Sequence, residues 1–204
     1  MKYKWKLILL FILIVVVAVI WLKRDRFLAS TTTAISSVST TNVKNIELID
    51  VPKFYNQRDK TWASDKLGNS SETVGKVGCL VSSVGMNLSY YGINMNPKEI
   101  NKKLTDIDGY TGRGWLVWSK LSTITEDKIK IVFPNLSHES IEKYLLEKKP
   151  VLAKVFIHRV IPHWVLIVGE KDSEYLMLDP LTQGEPTKLS SYGDYVYSIR
   201  VMEK

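Results

Sequence analysis

The spacing of apolar residues changes period at Pro150, and no other feature restricts the fold of this chain as much. Before Pro150 the period is helical. Cys79 to Tyr91 reads as a helix stopped by Gly92. Asn96-Pro97-Lys98-Glu99 opens a second helix, with Asn96 as cap, Pro97 at the first position and Glu99 three residues on. Trp115 to Ile124 is expected to be helical. Ser137 caps another helix, whose apolar side is Ile141, Tyr144, Leu145 and Leu146. After Pro150, the segments 151–157, 164–168, 175–178 and 196–202 read as strands. Helices first and strands after, with links too short for crossovers, predict an α+β domain with an antiparallel sheet.

Upstream, Leu7 to Leu22 is an unbroken apolar run, with Lys2, Lys4 and Lys6 before it and Lys23, Arg24 and Arg26 after it. As a helix it spans roughly 24 Å, a little short of the hydrocarbon core. Trp5, Trp21 and the long basic side chains make up the difference. A cleaved signal peptide needs small residues just past the run, and here a charged cluster follows instead. The expected organisation is a short basic tail (1–6), a transmembrane signal anchor in the lipid bilayer (7–22), a Ser/Thr-rich linker (23–45) and a folded domain (46–204). Basic residues on both sides leave orientation undecided by charge. The short tail and long C-terminal part suit a single-pass protein of the cell membrane with its domain outside the cytoplasm. An exported domain without disulfides fits a bacterial source. Residues 1–26 also account for +5 of the formal +7 charge, so the basic balance is membrane flanking and no nucleic-acid partner is expected.

Cys79 is the only cysteine, so it serves packing or thiol chemistry. It follows Gly78 at the start of a helix, where the dipole and free N–H groups favour a thiolate. The competing reading is a buried structural cysteine. Thiol catalysis needs a base, and the base needs an orienting partner. His163 begins one strand and Asp179 ends the next. If their hairpin is centred on Lys171, His163 faces Asp179 directly; a two-residue turn at Lys171-Asp172 puts the two on opposite faces of the sheet. His158 is the rival base, in a loop, and His138 is expected on the exposed side of its helix. Gln57, in a polar loop upstream, is placed to donate to an oxyanion beside the Cys79 N–H. One Cys and three scattered His give no metal-ligand spacing. The glycines at 109, 112 and 114 are not followed by the Lys-Ser/Thr of a phosphate loop. No cofactor is expected.

These stretches together carry a resemblance. Tyr55-Asn56-Gln57-Arg58-Asp59 is followed by Trp62-Ala63 and Leu67-Gly68, then by Gly78-Cys79 with its helix to Tyr90-Tyr91-Gly92. His163-Trp164-Val165-Leu166-Ile167-Val168-Gly169 and Leu178-Asp179-Pro180 come later. In this order they resemble the C39-like branch of the papain-fold cysteine peptidases, over roughly residues 48 to 200. The resemblance implies a papain-like fold, with a helical lobe bearing the cysteine and a sheet bearing the histidine and aspartate. It implies Cys79 as nucleophile, His163 as general base and then acid, Asp179 as orienter, Gln57 in the oxyanion hole, and a peptide or protein substrate. Two alternatives stay open: an amidase or acyl transferase acting on cell-wall or small amides, and a non-catalytic peptide-binding module with Trp115, Trp118 and Trp164 lining its groove.

Overall fold

The computed structural model describes residues 34–204 except Lys44 and Asp194. The apolar run 7–22 lies outside the described residues. Among the described residues no helix is long and apolar enough to cross a membrane. The domain is α+β, with helices preceding and packing on an antiparallel sheet.

Two short strands come first, β1 (Ile35–Ser36) and β2 (Asn45–Ile46), and a four-residue helix, α1 (Val74–Val77), leads into α2 (Cys79–Tyr90). Nearly every residue of α2 is buried, including Ser82, Ser83 and Asn87. A helix covered on all sides has no polar face to show. It packs against the sheet and against α3 (Pro97–Asp106). The start of α3 matches the sequence pattern: Glu99 N–H donates to Asn96 Oδ1 (3.0 Å) and Asn96 N–H donates to Glu99 Oε2 (2.8 Å). Gly92, with φ +78°, follows the end of α2.

The expected helix 115–124 is shorter, because only α4 (Ser119–Ile124) is helical. The glycine-rich loop before it closes a small hairpin through a Tyr110–Leu116 bridge and a Thr111 N–H to Trp115 C=O bond (2.8 Å). That hairpin takes Trp115 out of helical geometry and leaves it 63% exposed. After β3 (Lys130–Val132) comes α5 (His138–Leu146), capped by Ser137, which accepts from the Ser140 N–H. Ile141 and Leu145 of α5 are buried, whereas Leu146 is exposed.

The strand half contains β4 (Val151–Ile157), β5 (Ile161–Lys171), β6 (Glu174–Leu178), β7 (Thr187–Lys188), a 3-10 turn (Leu189–Tyr192), β8 (Tyr195–Val196) and β9 (Ser198–Glu203). The main sheet runs β3-β9-β4-β5-β6-β7, with β2 added to β5, and all its pairings are antiparallel. Val151, Leu152, Val165, Leu166, Ile167 and Val201 are among the strand residues that build the core.

The expected linker ends earlier than residue 45. From Ile35 onward the Ser/Thr-rich segment is a strap on the domain. Its β1 pairs with β8, Val38 bridges to Glu174, and Ser37 Oγ donates to the Gly193 carbonyl (2.9 Å). Ser39 Oγ and Thr41 Oγ1 both donate to Glu142 Oε1 (2.5 and 2.6 Å). Low-complexity hydroxyl residues read as flexible in sequence. Here they satisfy a buried carboxylate and a sheet edge that need donors.

The β5–β6 hairpin follows neither expected register. Lys171 pairs with Glu174 across a two-residue turn at Asp172-Ser173, both at positive φ (54° and 64°). Continued without interruption, that pairing turns His163 and Asp179 to opposite faces. A bulge at Val168 prevents this. The register steps from Gly169↔Leu176 to Ile167↔Met177, which inserts one extra residue in β5 and returns both side chains to one face. In that register Asp179 falls opposite Val165, so His163 lies diagonally from it, two residues along β5 and on the same face. Gly169, beside the bulge, lets the entry segment cross closely: a Cβ there would lie 3.1 Å from the Ile46 carbonyl oxygen.

Candidate active site

Cys79 is the first residue of α2 and is buried. Gly78 makes that position possible, because a Cβ on Gly78 would come within 2.5 Å of the Val74 carbonyl oxygen. Only a residue without a side chain lets α1 fold back so tightly before α2. The first N–H groups of α2 have no carbonyl one turn earlier within the helix, so the thiol sits among unsatisfied donors.

His163, near the start of β5, is 2% exposed, and Asp179, just past β6, is fully buried. The His163 Nε2–H donates to Asp179 Oδ1 at 2.7 Å. Cys79 also acts on the ring, by hydrogen bonding and by charge. With Nε2 taken by Asp179, Nδ1 is the ring nitrogen left for the sulfur. Burial lowers the proton affinity of His163, but Asp179 and Cys79 outweigh it and push its pKa up to about 9. That shift favours the doubly protonated, cationic ring, which lies between a carboxylate and a thiol.

Asp179 is well supplied with donors. Besides His163 it accepts from the Leu181 N–H (2.9 Å, Oδ1) and from the Tyr192 hydroxyl (Oδ2). Burial raises its carboxyl, and the bonds from His163, Tyr192 and Leu181 reverse that and hold it below the usual carboxylate range. Its own carbonyl caps a turn, accepting from the Thr182 N–H (3.0 Å) and the Thr182 hydroxyl (2.9 Å).

Gln57 is buried and tied to both halves of the site. Its N–H donates to the Pro180 carbonyl (2.9 Å), next to Asp179, and its Nε2 donates to the Gly75 carbonyl (3.1 Å), one turn before Cys79. One amide hydrogen remains for another acceptor. Asn56 strengthens the tie, donating from Nδ2 to the Thr182 carbonyl (2.8 Å), and its own carbonyl accepts from Trp62 Nε1 (2.9 Å). The loop bearing Gln57 is thus stapled to the loop that follows Asp179.

The structure separates the other candidates from this cluster. His158 is exposed in the β4–β5 turn, at φ 49°. His138 is not on an exposed face as expected: it is buried, and its Nδ1 hydrogen-bonds the Tyr175 hydroxyl (2.8 Å). Its partner Tyr175 comes from β6, 37 residues on, and single-helix periodicity carries no trace of that. Trp118 packs edge-on against Trp164 (5.2 Å) with Arg200 over its ring, whereas Trp115 stands apart in the glycine loop. Among the described residues no group of three or more His, Cys, Asp or Glu is placed to hold a metal ion.

The family model described as the Peptidase C39 like family matches residues 48–199. The chain belongs to the C39-like peptidase family. Among solved structures, one described as a C39-like peptidase from Bacillus anthracis superposes with a TM-score of 0.57 at 15% identity, covering 79% of this chain and 98% of that one. Identity that low speaks to the fold, which the two share. No curated protein matches. Within this member of the family, sequence reasoning missed Tyr192, which touches both Asp179 and His163, their rings in the His163 contact being 5.3 Å apart. It lies 13 residues past Asp179 in a short Ser-Ser-Tyr-Gly turn, and nothing in that turn signals a site.

Proposed function

We propose that this chain is a cysteine peptidase that hydrolyses peptide bonds through Cys79, His163 and Asp179. The observation that carries the reading is the doubly held His163: Nε2 on Asp179, the other ring nitrogen left to a thiol at a helix N-terminus. In this reading the Cys79 proton resides on His163, and the sulfur attacks the substrate carbonyl carbon to form a C–S bond. The oxyanion accepts from the Cys79 N–H and from the free amide hydrogen of Gln57. As the C–N bond breaks, His163 gives its proton to the departing amine. It then takes a proton from water, whose oxygen attacks the thioester, and the thiolate leaves with the carboxylate product released. Asp179 fixes the ring's tautomer and stabilises the imidazolium.

The finer architecture we infer is papain-like: the cysteine helix on one side of the cleft, the histidine and aspartate on the sheet. We also propose that residues 7–22 anchor the enzyme in the cell membrane, with the catalytic domain outside the cytoplasm.

The test is a peptide-library digest with the full chain in detergent, wild type against Cys79→Ala. The expected result is cleavage by wild type alone, with both proteins melting at similar temperatures. Cleavage by Cys79→Ala overturns the assignment.

A further inference from the structure

We propose that Tyr192 is a positioning residue of this site, holding Asp179 so that its carboxylate stays aimed at His163; the inference rests on the peptidase reading above. Asp179 Oδ1 serves His163 and the Leu181 N–H, and Oδ2 has one partner, the Tyr192 hydroxyl. The carboxylate is fully buried, so an Oδ2 without a donor would rotate in search of one and carry Oδ1 away from Nε2. The tyrosine ring also stands edge-on to the imidazole, centroids 5.3 Å apart at 66°, which limits rotation of the ring. One side chain thus restrains both members of the pair.

In its bond to Asp179 the hydroxyl is the donor. Burial first, then the Asp179 hydrogen bond and charge, raise its pKa above the ordinary tyrosine value, so it keeps its proton. Arg58, beside Gln57, opposes this weakly by its charge and does not reverse it.

The turn bearing Tyr192 is braced from three directions. Leu189 is buried in the core, and Ser190 Oγ donates to Glu174 Oε2 on β6 (2.6 Å). The Gly193 carbonyl accepts from Ser37 of the strap, and β8 just beyond pairs with β1. A side chain whose only role was to fill space would not need its hydroxyl aimed. Such bracing is what a group needs when it must hold another in place.

A double-mutant cycle on thiol reactivity tests this without needing a substrate. The rate of Cys79 alkylation by iodoacetamide is measured at pH 6 in the full chain for wild type, Tyr192→Phe, His163→Ala and the double variant, with melting temperatures for each. Tyr192→Phe is expected to slow alkylation about tenfold, the scale of one hydrogen bond to a charged group. In the His163→Ala background the same change should have no further effect, since Tyr192 acts through His163. Equal slowing in both backgrounds, or no slowing in Tyr192→Phe while it melts lower, makes Tyr192 an anchor of its turn and overturns the proposal. If His163→Ala alone leaves the wild-type rate unchanged, it is the peptidase reading that fails, and the role of Tyr192 fails with it.

Discussion

Replacing Asp179 with Asn removes a charge and keeps the shape, and it should lower the proton affinity of His163 while sparing the fold. Burial alone depresses a histidine, and in this site Asp179 is the first of the groups that oppose it, followed by Cys79. Losing a neighbouring charge at hydrogen-bond distance costs about 1–2 pH units. The stability consequence has a definite sign. Folding moves His163 from 6.5 up to about 9, so its contribution is fully present below pH 6.5 and is lost as pH rises through 9. That interval corresponds to a ceiling of about 3 kcal/mol at 1.36 kcal/mol per unit. The assay is urea unfolding between pH 6 and 9.5, paired with NMR titration of the His163 ring. Wild type should lose about 1–3 kcal/mol more than Asp179→Asn over that range, and its ring should titrate near 9. A wild-type midpoint near 6.5, or the same midpoint in both proteins, would refute the reasoning.

Gln57→Ala should cut kcat about 10²-fold with little change in KM, as expected for a lost oxyanion donor; a lower melting temperature with unchanged kcat would reduce Gln57 to a tie between Gly75 and Pro180. Removing both strap donors, Ser39→Ala with Thr41→Val, leaves Glu142 buried without them. That should cost about 2 kcal/mol and speed proteolysis within residues 34–43; unchanged proteolysis would mean the strap is held elsewhere. Glu170 is buried with both oxygens unpartnered, and burial followed by the charge of Glu142 pushes its carboxyl up to about 7. The folded protein then holds a proton that the unfolded chain gives up, so this residue makes stability fall as pH rises from about 4.5 to 7. Glu170→Gln should be more stable than wild type at pH 8 by about 1 kcal/mol and lose that advantage at pH 5; an advantage independent of pH would contradict this.

Much of the site's skeleton was legible because its signals are local. The Asn96 capping box, the helix from Cys79 to its glycine stop and strand 151–157 each depend on a few adjacent residues, and the structure has them. The features that were not legible depend on partners distant in sequence. Strand periodicity places His163 and Asp179 on neighbouring strands but cannot locate the extra residue at Val168, because nothing in Ile167-Val168-Gly169 marks one as bulged until the Asp172-Ser173 turn sets the register from the other end. The strap was hidden for a different reason. Ser and Thr are common in linkers, and only the burial of Glu142, a hundred residues away, gives their hydroxyls something to bind. His138 and Tyr192 are of the same kind: each is defined by a partner across the fold, Tyr175 for one and Asp179 for the other.

The most direct test of the central claim is the pH dependence of Cys79 alkylation by iodoacetamide, in the full-length wild type and in His163→Ala. An activated pair predicts rapid alkylation at pH 6 in wild type, slower by an order of magnitude or more in the variant, with the gap closing as pH approaches 9. Rates that coincide at every pH would show a thiol indifferent to His163, and would contradict the account of this site as a cysteine peptidase centre.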